Sequence, residues 1–304
     1  MKKKIFTGLV ALLSVLMVSA QQQEFECNED WVKKIEKLAP SKSTVKPGKS
    51  YKVLVLDRIT GYDHWVTPHT SQVIKVLGDK SGAYETEITK DIFALDAKNL
   101  KKYDAIVLNN NCSKGPRRDL ILDALDEDTQ MSEEKKKKKA ANLESDLIKY
   151  VKKGGGLMVV HGGIVMQNNS MPFSEMVGGS FDYHPPQQEV VLKLVDADHP
   201  LVAAFEDKPF VHVDEPYLFK NAYSKKNFRP LLYMETSKLS KNKKPFDENI
   251  KYVSWIKKHG KGRVFYVSPS HNAQSFENER MLKFFLDGAQ YVLGDLHCDD
   301  SPIN

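Results

Sequence analysis

Glycines surround a histidine at the end of an apolar strand, where a side chain can meet a ligand. Residues 154–163 read Gly-Gly-Gly-Leu-Met-Val-Val-His-Gly-Gly, so His161 directly follows four apolar residues. A continuously apolar strand is typical of a parallel sheet covered on both faces, and ligands of such sheets bind beyond the carboxyl ends of the strands. Imidazole titrates near neutral pH, so His161 is a candidate general acid or base. Neither serine nor cysteine adjoins it, and a covalent nucleophile is therefore not expected at this turn.

Further side chains able to transfer protons or hold a substrate occur later in the chain. His184 lies in an aromatic stretch that ends in two prolines and is predicted to be a loop, and His271 follows the last predicted strand. Together with His161 they are the candidate catalytic residues. Asp214 and Glu215 are adjacent, so on a strand their side chains face opposite ways. We expect one of them to bind substrate hydroxyls while the other pairs elsewhere.

Aromatic and amide side chains cluster near the same predicted strand ends. Rings can stack on a sugar, although aromatic residues are also common in protein cores. The candidate substrate-binding residues are Tyr62, His64, Asn109, Asn110, Tyr183, Asp214, Glu215 and Tyr217. Histidine and carboxylate side chains are also ligands for zinc and other divalent ions, but no local spacing in the sequence specifies such a site. No cofactor is therefore assigned, and a divalent metal ion stays an alternative.

Strand and helix patterns alternate along the first half of the chain. Short strands are predicted over residues 51–56, 84–89 and 104–108, with a helix after the first that begins near Pro68. A longer helix is predicted from Ser132 to Gly154. This order predicts an α/β fold with a mostly parallel, doubly wound sheet. Further strands, which indicate an extra β-rich insertion before a last helix over 278–293, are predicted over residues 189–195, 231–234, 252–256 and 263–267.

Length and composition are those of a globular protein with a leader. The chain has 304 residues, of which 41% are hydrophobic and 28% charged, enough to bury a sizeable core. Three lysines near the N-terminus precede an apolar run over residues 5–18 and small residues that end at Ala20. This pattern predicts a secretory signal peptide over residues 1–20, because the run is too short to span a bilayer. We therefore expect an exported protein, periplasmic or secreted, with no integral membrane segment after cleavage.

The remaining chain is predicted to form one domain with short flanks. Residues 21–50 are expected to pack on the outside of a domain over residues 51–294, which a tail over 295–304 follows. The net charge of +5 includes the lysines of the signal, and the five lysines at 135–139 have no aromatic or arginine residues among them, so nucleic acid is not an expected partner. Cys27, Cys112 and Cys298 allow either a disulfide between Cys27 and Cys298 or three separate thiols.

Seven short motifs occur in an order that resembles one protein family. They are Gly61-Tyr62-Asp63-His64, Val160-His161-Gly162, Phe181-Asp182-Tyr183-His184-Pro185, Asp198-His199-Pro200, Asp214-Glu215-Pro216-Tyr217, Trp255 and Gly262-Arg263-Val264-Phe265-Tyr266. Over residues 51–294 the chain resembles the ThuA-like (trehalose utilization) proteins. The resemblance implies a flavodoxin-like sheet similar to that of class I glutamine amidotransferases, in which the turn after the central strand holds a nucleophilic cysteine. Because His161 stands at that turn, glutaminase activity is not expected.

The resemblance also implies a role in the uptake or metabolism of disaccharides and their keto derivatives. Pro216 departs from the tryptophan that relatives often have after the Asp-Glu pair, which removes a sugar-stacking ring from that position. The first hypothesis is an exported hydrolase, lyase or isomerase that acts on a small carbohydrate through a His-centred acid/base site. Two alternatives stay open: a non-catalytic carbohydrate-binding or scaffold protein, and a metal-dependent hydrolase. The sequence assigns no oligomeric state.

Overall fold

The computed structural model of the protein describes residues 22–240, 242 and 245–303. The predicted signal peptide, residues 1–20, lies outside these residues. Within the described ranges, none of the helices combines the length and the apolar character needed to cross a bilayer.

Apolar runs in the sequence form the strands of one large sheet and one small one. The strands are β1 (Lys52–Leu56), β2 (Glu85–Thr89), β3 (Ala105–Asn109), β4 (Gly156–Val160), β5 (Ser180–Tyr183), β6 (Gln188–Leu194), β7 (Phe210–Asp214), β8 (Leu218–Lys220), β9 (Arg229–Glu235), β10 (Ile250–His259) and β11 (Gly262–Val267). The large sheet has nine strands in the order β2-β1-β3-β4-β11-β10-β9-β6-β7, and β5 pairs with β8. Strand β4 is buried along its full length, as its continuously apolar sequence predicts.

Helices connect these strands and begin and end at recognisable residues. They are α1 (Glu29–Leu38), α2 (Thr67–Ser81), α3 (Ala97–Leu100), α4 (Leu120–Leu125), α5 (Glu133–Lys152), α6 (Met171–Val177) and α7 (Glu279–Leu293). The side chain of Asn278 accepts hydrogen bonds from the first N–H groups of α7, and Pro68 occupies the first turn of α2. After α5 the chain reverses at Gly154, whose φ of 125° favours glycine.

The first five strands of the large sheet run parallel, from β2 through β1, β3 and β4 to β11. Strand β1 lies between β2 and β3, so the chain builds outward from β1 in both directions. This is the flavodoxin-like strand order, whose switch point lies between β1 and β3. The predicted α/β fold with a mostly parallel, doubly wound sheet is therefore confirmed, and the loops after β1, β3, β4 and β11 share one edge of it.

The other four strands of the large sheet, β10, β9, β6 and β7, pair antiparallel and form most of the β-rich second half. The prediction of a loop over residues 181–186 is wrong in its first part, because Ser180–Tyr183 is strand β5, in which Phe181 is paired with Phe219 of β8. The two prolines exclude a helix there, but they follow the strand and do not interrupt it. Aromatic residues favour strands when a partner is available, which sequence alone does not reveal.

Residues 22–50 lie against the α/β domain. Helix α1 packs on α2, and the indole of Trp31 donates a hydrogen bond to Glu277 at 3.1 Å. Further along, the backbone N–H of Thr44 donates to the side chain of Gln290 in α7 at 2.8 Å. The disulfide considered between Cys27 and Cys298 is not formed, since all three cysteines are free thiols.

Candidate functional site

Four side chains from four separate loops meet at the carboxyl edge of the parallel strands. His64 follows β1, His161 follows β4, His271 follows β11 and Glu215 directly follows β7. The Oε2 atom of Glu215 lies 3.8 Å from His64 Nε2, 3.5 Å from His161 Nε2 and 3.2 Å from His271 Nδ1. His64, His161 and His271 are only 2%, 0% and 4% exposed. We refer to these four residues as the histidine–glutamate cluster.

The cluster approaches solvent on the side of His184, whose side chain is 32% exposed and whose Nε2 lies 3.6 Å from Glu215 Oε1. The ring of His184 stacks on that of Tyr217, which also lies against His161 with 4.1 Å between ring centroids. Tyr62 stands beside His64 and is 59% exposed. We call His184 and Tyr62 the rim of the site.

The turn that carries His161 is shaped for close approach. His161 has a φ of 44°, a left-handed conformation that non-glycine residues rarely adopt and that is retained mainly at functional sites. A Cβ at Gly162 would lie 2.8 Å from Cys112 Sγ and 2.9 Å from His64 Cε1, so only glycine lets His64 come this near. The backbone of the turn is held by Asn110, whose Oδ1 accepts from Gly162 N at 3.3 Å. The glycines of this segment therefore bring His161 and His64 together.

Hydrogen-bond partners fix which ring nitrogens carry protons. His161 Nδ1 lies 2.7 Å from the carbonyl oxygen of Ser268, which can only accept, so Nδ1 is protonated. Burial raises the pKa of Cys112 to about 12, and this thiol donates to the carbonyl of Gly162 at 3.7 Å. His64 Nδ1, also 3.7 Å from the sulfur, then donates to it. The unprotonated Nε2 atoms of His161 and His64 therefore both face Glu215.

His184 follows the same pattern and His271 differs from it. The Nδ1 atom of His184 donates to the carbonyl of Pro185 at 2.9 Å, and its Nε2 atom faces Glu215 Oε1. In His271 it is Nδ1 that faces Glu215. His161 Nε2 and His271 Nδ1 are buried atoms without a hydrogen-bond partner, which marks both as groups that require an explanation.

Negative charge in the cluster resides on Glu215. Burial lowers the pKa of His161 to about 3 and also lowers the pKa of His64, so both rings are neutral at neutral pH. Burial alone raises the pKa of Glu215, but the charge of the neighbouring His271 lowers it, and the net shift is downward. Burial also lowers the pKa of His271, yet the carboxylates of Glu215 and Asp214 outweigh it and raise this pKa. The site therefore contains a buried carboxylate beside at least two neutral imidazoles.

Asp214 points away from the rim and positions two members of the cluster. Its carboxylate accepts the backbone N–H of Glu215 at 2.7 Å and that of His271 at 3.3 Å. On the other side, His212 Nδ1 lies 3.2 Å from Asp214 Oδ2. Burial raises the pKa of Asp214 to about 7. The adjacent pair thus divides as expected: Glu215 faces the site and Asp214 pairs within the protein.

The structure brings many of the residues predicted from the sequence into one place. Those that meet are Tyr62, His64, His161, His184, Glu215, Tyr217 and His271. Tyr217 is 3% exposed, and its hydroxyl lies 3.4 Å from His64 Nε2, so it packs within the cluster.

Two other predicted substrate-binding residues lie away from the rim. Asn109 and Asn110 are fully buried, and their amide groups bond to the start of α2 and to each other. Their side chains hold the loops after β1 and β3 together, as buried amides must satisfy their own donors. We therefore assign neither of these two amide side chains to the site. Tyr183 ends β5 and is half-buried, and burial and then the carboxylate of Asp182 raise its pKa.

Sequence reasoning missed several residues that shape the site. Cys112 bonds to His64, and its place in the polar run after β3 was a usable signal. His212 faces Asp214 from β7 and also lies 3.0 Å from Ser275 Oγ, although its pattern in the sequence is that of an ordinary strand residue. Ser268 acts through its backbone carbonyl, which no side-chain type reveals.

The segment before α1, for which no chemistry was predicted, borders the rim. The N–H of Gln22 donates to Gln187 Oε1 at 3.3 Å, and Gln274 Nε2 donates to the carbonyl of Gln23 at 2.8 Å. Burial and then the charges of Glu215 and Glu24 raise the pKa of Tyr62. Glu24 is exposed in this segment.

Known structures share this fold. A putative ThuA-like protein from Bacteroides uniformis superposes with a TM-score of 0.60 at 16% identity, over 82% of this chain and 94% of that one. A putative ThuA-like protein from Parabacteroides merdae gives 0.53 at 18% identity, over 81% and 91%. A cytoplasmic protein from Salmonella typhimurium gives 0.51 at 13% identity, over 80% and 98%. Identities this low show similarity of fold alone.

The family is shown by the sequence itself. Residues 52–292 match the family described as ThuA: Trehalose utilisation. No curated protein matches the chain. Because the match covers every strand of both sheets and each member of the histidine–glutamate cluster, the chain belongs to the ThuA (trehalose utilisation) family.

Proposed function

We propose that this protein is an enzyme that acts on a carbohydrate, a disaccharide or a keto derivative of one, at the histidine–glutamate cluster. The observation that carries the proposal is the convergence of three histidines on the ionised Glu215, beneath a rim that reaches solvent at His184 and Tyr62. The family's link with trehalose utilisation supports the substrate class.

The rim offers both kinds of contact that a sugar needs. The exposed ring of Tyr62 presents an apolar face on which the C–H groups of a pyranose can stack. Beneath it, the Nε2 atom of His184 and the carboxylate of Glu215 can form hydrogen bonds with hydroxyl groups. Pro216, where relatives often have tryptophan, supplies no second ring, so Tyr62 carries the stacking role.

Catalysis fits the cluster better than binding alone. A binding site needs polar atoms at the ligand surface, whereas His161 has no exposed surface and its Nε2 atom has no hydrogen-bond partner. Leaving a buried polar atom unpaired costs about 1–3 kcal/mol. Buried polar atoms that lower the stability of a protein in this way are typical of catalytic sites, where the chemistry requires their position.

The chemistry differs from acyl transfer through a cysteine. The turn after β4 carries an imidazole, and the nearby Cys112 is a buried thiol engaged with His64 and the carbonyl of Gly162. A carboxylate and several imidazoles around one point suit the removal or delivery of a proton at a sugar hydroxyl or at a carbon beside a keto group. Hydrolases, lyases and isomerases of sugars share that step.

A turnover screen tests the proposal. The purified chain is incubated with trehalose, other disaccharides and their 3-keto derivatives, and the products are followed by mass spectrometry and NMR. Hydrolysis adds one water to the substrate, a lyase splits it without water, and an isomerase leaves its mass unchanged. We expect Glu215→Gln to lower kcat/KM by at least about 100-fold, the usual contribution of a proton-transfer group.

Glu134→Gln is the matched control, because Glu134 is an exposed carboxylate in α5 and its replacement should leave kcat/KM unchanged. Saturable sugar binding by the wild-type chain without any product would contradict the proposal and favour the non-catalytic alternative.

We also propose that the chain is exported through its N-terminal signal. The basic and apolar pattern of residues 1–20 supports this proposal. N-terminal sequencing of the protein from its native cells tests it, with a mature chain that begins at Gln21 as the expected result. A chain that keeps the first 20 residues and is found in the cytoplasm would contradict export.

A further inference from the structure

We propose that the histidine–glutamate cluster binds one divalent transition-metal ion, with His64 Nε2, His161 Nε2, His271 Nδ1 and a carboxylate oxygen of Glu215 as ligands. The inference goes beyond the proposed function, because it does not depend on which substrate the protein converts. It identifies the group that these four side chains are arranged to hold.

The spacing of the four side chains fits one ion. Each of them offers a ligand atom, and these atoms all lie within 4.8 Å of one another. With metal–ligand bonds of about 2.1 Å, two ligands of a tetrahedral ion lie about 3.4 Å apart. The three distances from Glu215 Oε2 to the imidazole nitrogens, 3.2, 3.5 and 3.8 Å, bracket that value. Small side-chain adjustments would complete the coordination.

The direction of the lone pairs also favours a cation between them. The Nδ1 protons of His161 and His64 are engaged by Ser268 and Cys112, so both Nε2 lone pairs point at a carboxylate oxygen of Glu215, 3.5 and 3.8 Å away. Lone pairs and a negative oxygen repel one another, and His161 Nε2 accordingly has no hydrogen-bond partner. The Tyr217 hydroxyl can donate to only one of these atoms, His64 Nε2, across 3.4 Å. A divalent ion satisfies all of the facing atoms at once.

Residues behind the ligands are those of a supported metal site. Metal-binding histidines usually donate their other N–H to a carbonyl or another fixed acceptor. His161 does so to Ser268 at 2.7 Å, and His64 does so to Cys112. Asp214 accepts the backbone N–H groups of both Glu215 and His271, which fixes the two ligands that come from different halves of the sheet.

The ligand set selects the class of ion. Three imidazoles and one carboxylate suit zinc, iron, manganese or cobalt, whereas magnesium and calcium prefer oxygen ligands throughout. Exposure at His184 and Tyr62 leaves an approach for a substrate oxygen from that side. An ion bound here would polarise a keto or hydroxyl oxygen or lower the pKa of a bound water.

Metal content is measured on the full chain, purified without a histidine tag and stripped with a chelator. Samples are dialysed separately against zinc, manganese, cobalt, magnesium and calcium, and then analysed by elemental mass spectrometry. We expect one zinc, manganese or cobalt per chain and no retained magnesium or calcium. The cobalt form should show visible absorption from imidazole coordination. Failure of every transition metal to bind stoichiometrically would overturn the proposal.

Variants locate the ion. His161→Ala and Glu215→Gln should each weaken metal binding by at least about 100-fold, since changes to residues behind the ligands already cost about 10–100-fold. His297→Ala, which removes an exposed histidine of the C-terminal tail, should bind like the wild-type chain. Circular dichroism checks that each variant is folded. If His161→Ala does not fold, Glu215→Gln still tests the site, because glutamine preserves the shape of the side chain. Equal losses in His297→Ala and Glu215→Gln would place the ion elsewhere and overturn the assignment.

The outcomes for metal and for substrate are separable. A chain that binds one ion but converts no sugar supports the metal site and contradicts the proposed function. A stripped chain that converts sugar at the full rate, and that regains no stoichiometric metal, supports the proposed function and contradicts the metal site.

Discussion

Replacing Glu215 by glutamine in the metal-free chain distinguishes a metal site from a set of ion pairs. The two cases predict changes of opposite sign in the free energy of unfolding. In wild type, the Oε2 atom of Glu215 faces His271 Nδ1 at 3.2 Å and His161 Nε2 at 3.5 Å, and neither nitrogen has a hydrogen-bond partner. A glutamine amide nitrogen at that position has two N–H groups, which it can donate to His161 Nε2 and, once His271 is neutral, to His271 Nδ1. The substitution also removes a buried negative charge.

The expected size follows from these contacts. Each new hydrogen bond contributes about 0.5–1.5 kcal/mol, and distances of 3.2–3.5 Å are near the limit for such bonds. We therefore expect Glu215→Gln to raise the free energy of unfolding by about 1–2 kcal/mol without metal, while metal binding is lost. If the histidines were instead protonated partners of Glu215, breaking buried ion pairs would lower the free energy of unfolding by about 3–5 kcal/mol.

Urea unfolding measures this change in the free energy of unfolding, from the shift of the midpoint at equal m-values. A chelator is present, and the pH is about 8.5, where ordinary imidazole is neutral. Glu134→Gln again serves as the control, with no shift expected in the midpoint. A clear destabilisation of Glu215→Gln, in a chain that keeps its m-value, would refute the tautomers assigned to His161 and His64.

Three further predictions concern the surroundings of the cluster. Gly162→Ala should weaken metal binding by about 10–100-fold, because the added Cβ would displace a cluster imidazole 2.9 Å away, whereas Gly115→Ala, with no atom nearer than 3.8 Å, should not. Competition with a coloured chelator measures both. Tyr62→Ala should raise KM for the sugar up to about tenfold with little change in kcat, and Phe93→Ala, at another exposed ring, should not. Glu24→Gln should change KM about two- to fivefold, less at high salt, with metal content unaltered, because the charge of Glu24 acts on Tyr62; an effect on metal content would contradict an influence confined to the rim.

The parallel half of the fold follows from local patterns in the sequence. The apolar runs that became β1, β3 and β4 are short, continuous and bounded by polar residues or glycine, and the helix α5 ends at Lys152, two residues before the predicted end at Gly154. The antiparallel half of the fold is harder to predict from the sequence, since Ser180–Tyr183 becomes a strand only because β8 lies beside it. Pairing between segments that are far apart in sequence is set by tertiary contacts, which single-residue propensities do not contain.

The residues of the site were largely visible in the sequence, but their grouping was not. Histidines after strands predicted a common edge, and His64, His161 and His271 do share it. Their convergence on Glu215 depends on β7, which reaches the edge through antiparallel pairing with β6. Asn109 and Asn110 were predicted to bind substrate but do not face the site. Their amide groups form hydrogen bonds within the loops, as polar side chains at a strand end can do.

The side chains of the cluster come from two parts of the fold, and this explains why His161 is buried at the turn after β4. A nucleophile at that turn would have to be exposed to its substrate. The parallel sheet supplies the imidazoles of His64, His161 and His271, while the β-rich insertion supplies Glu215 and the covering ring of Tyr217. Because that insertion closes over the turn after β4, a side chain there is fully buried and can coordinate or polarise but cannot attack a substrate in solution. An ion held between the two sets would join the sheet and the insertion at the point where His184 and Tyr62 open to solvent, so metal binding would stabilise the contact between them through Glu215.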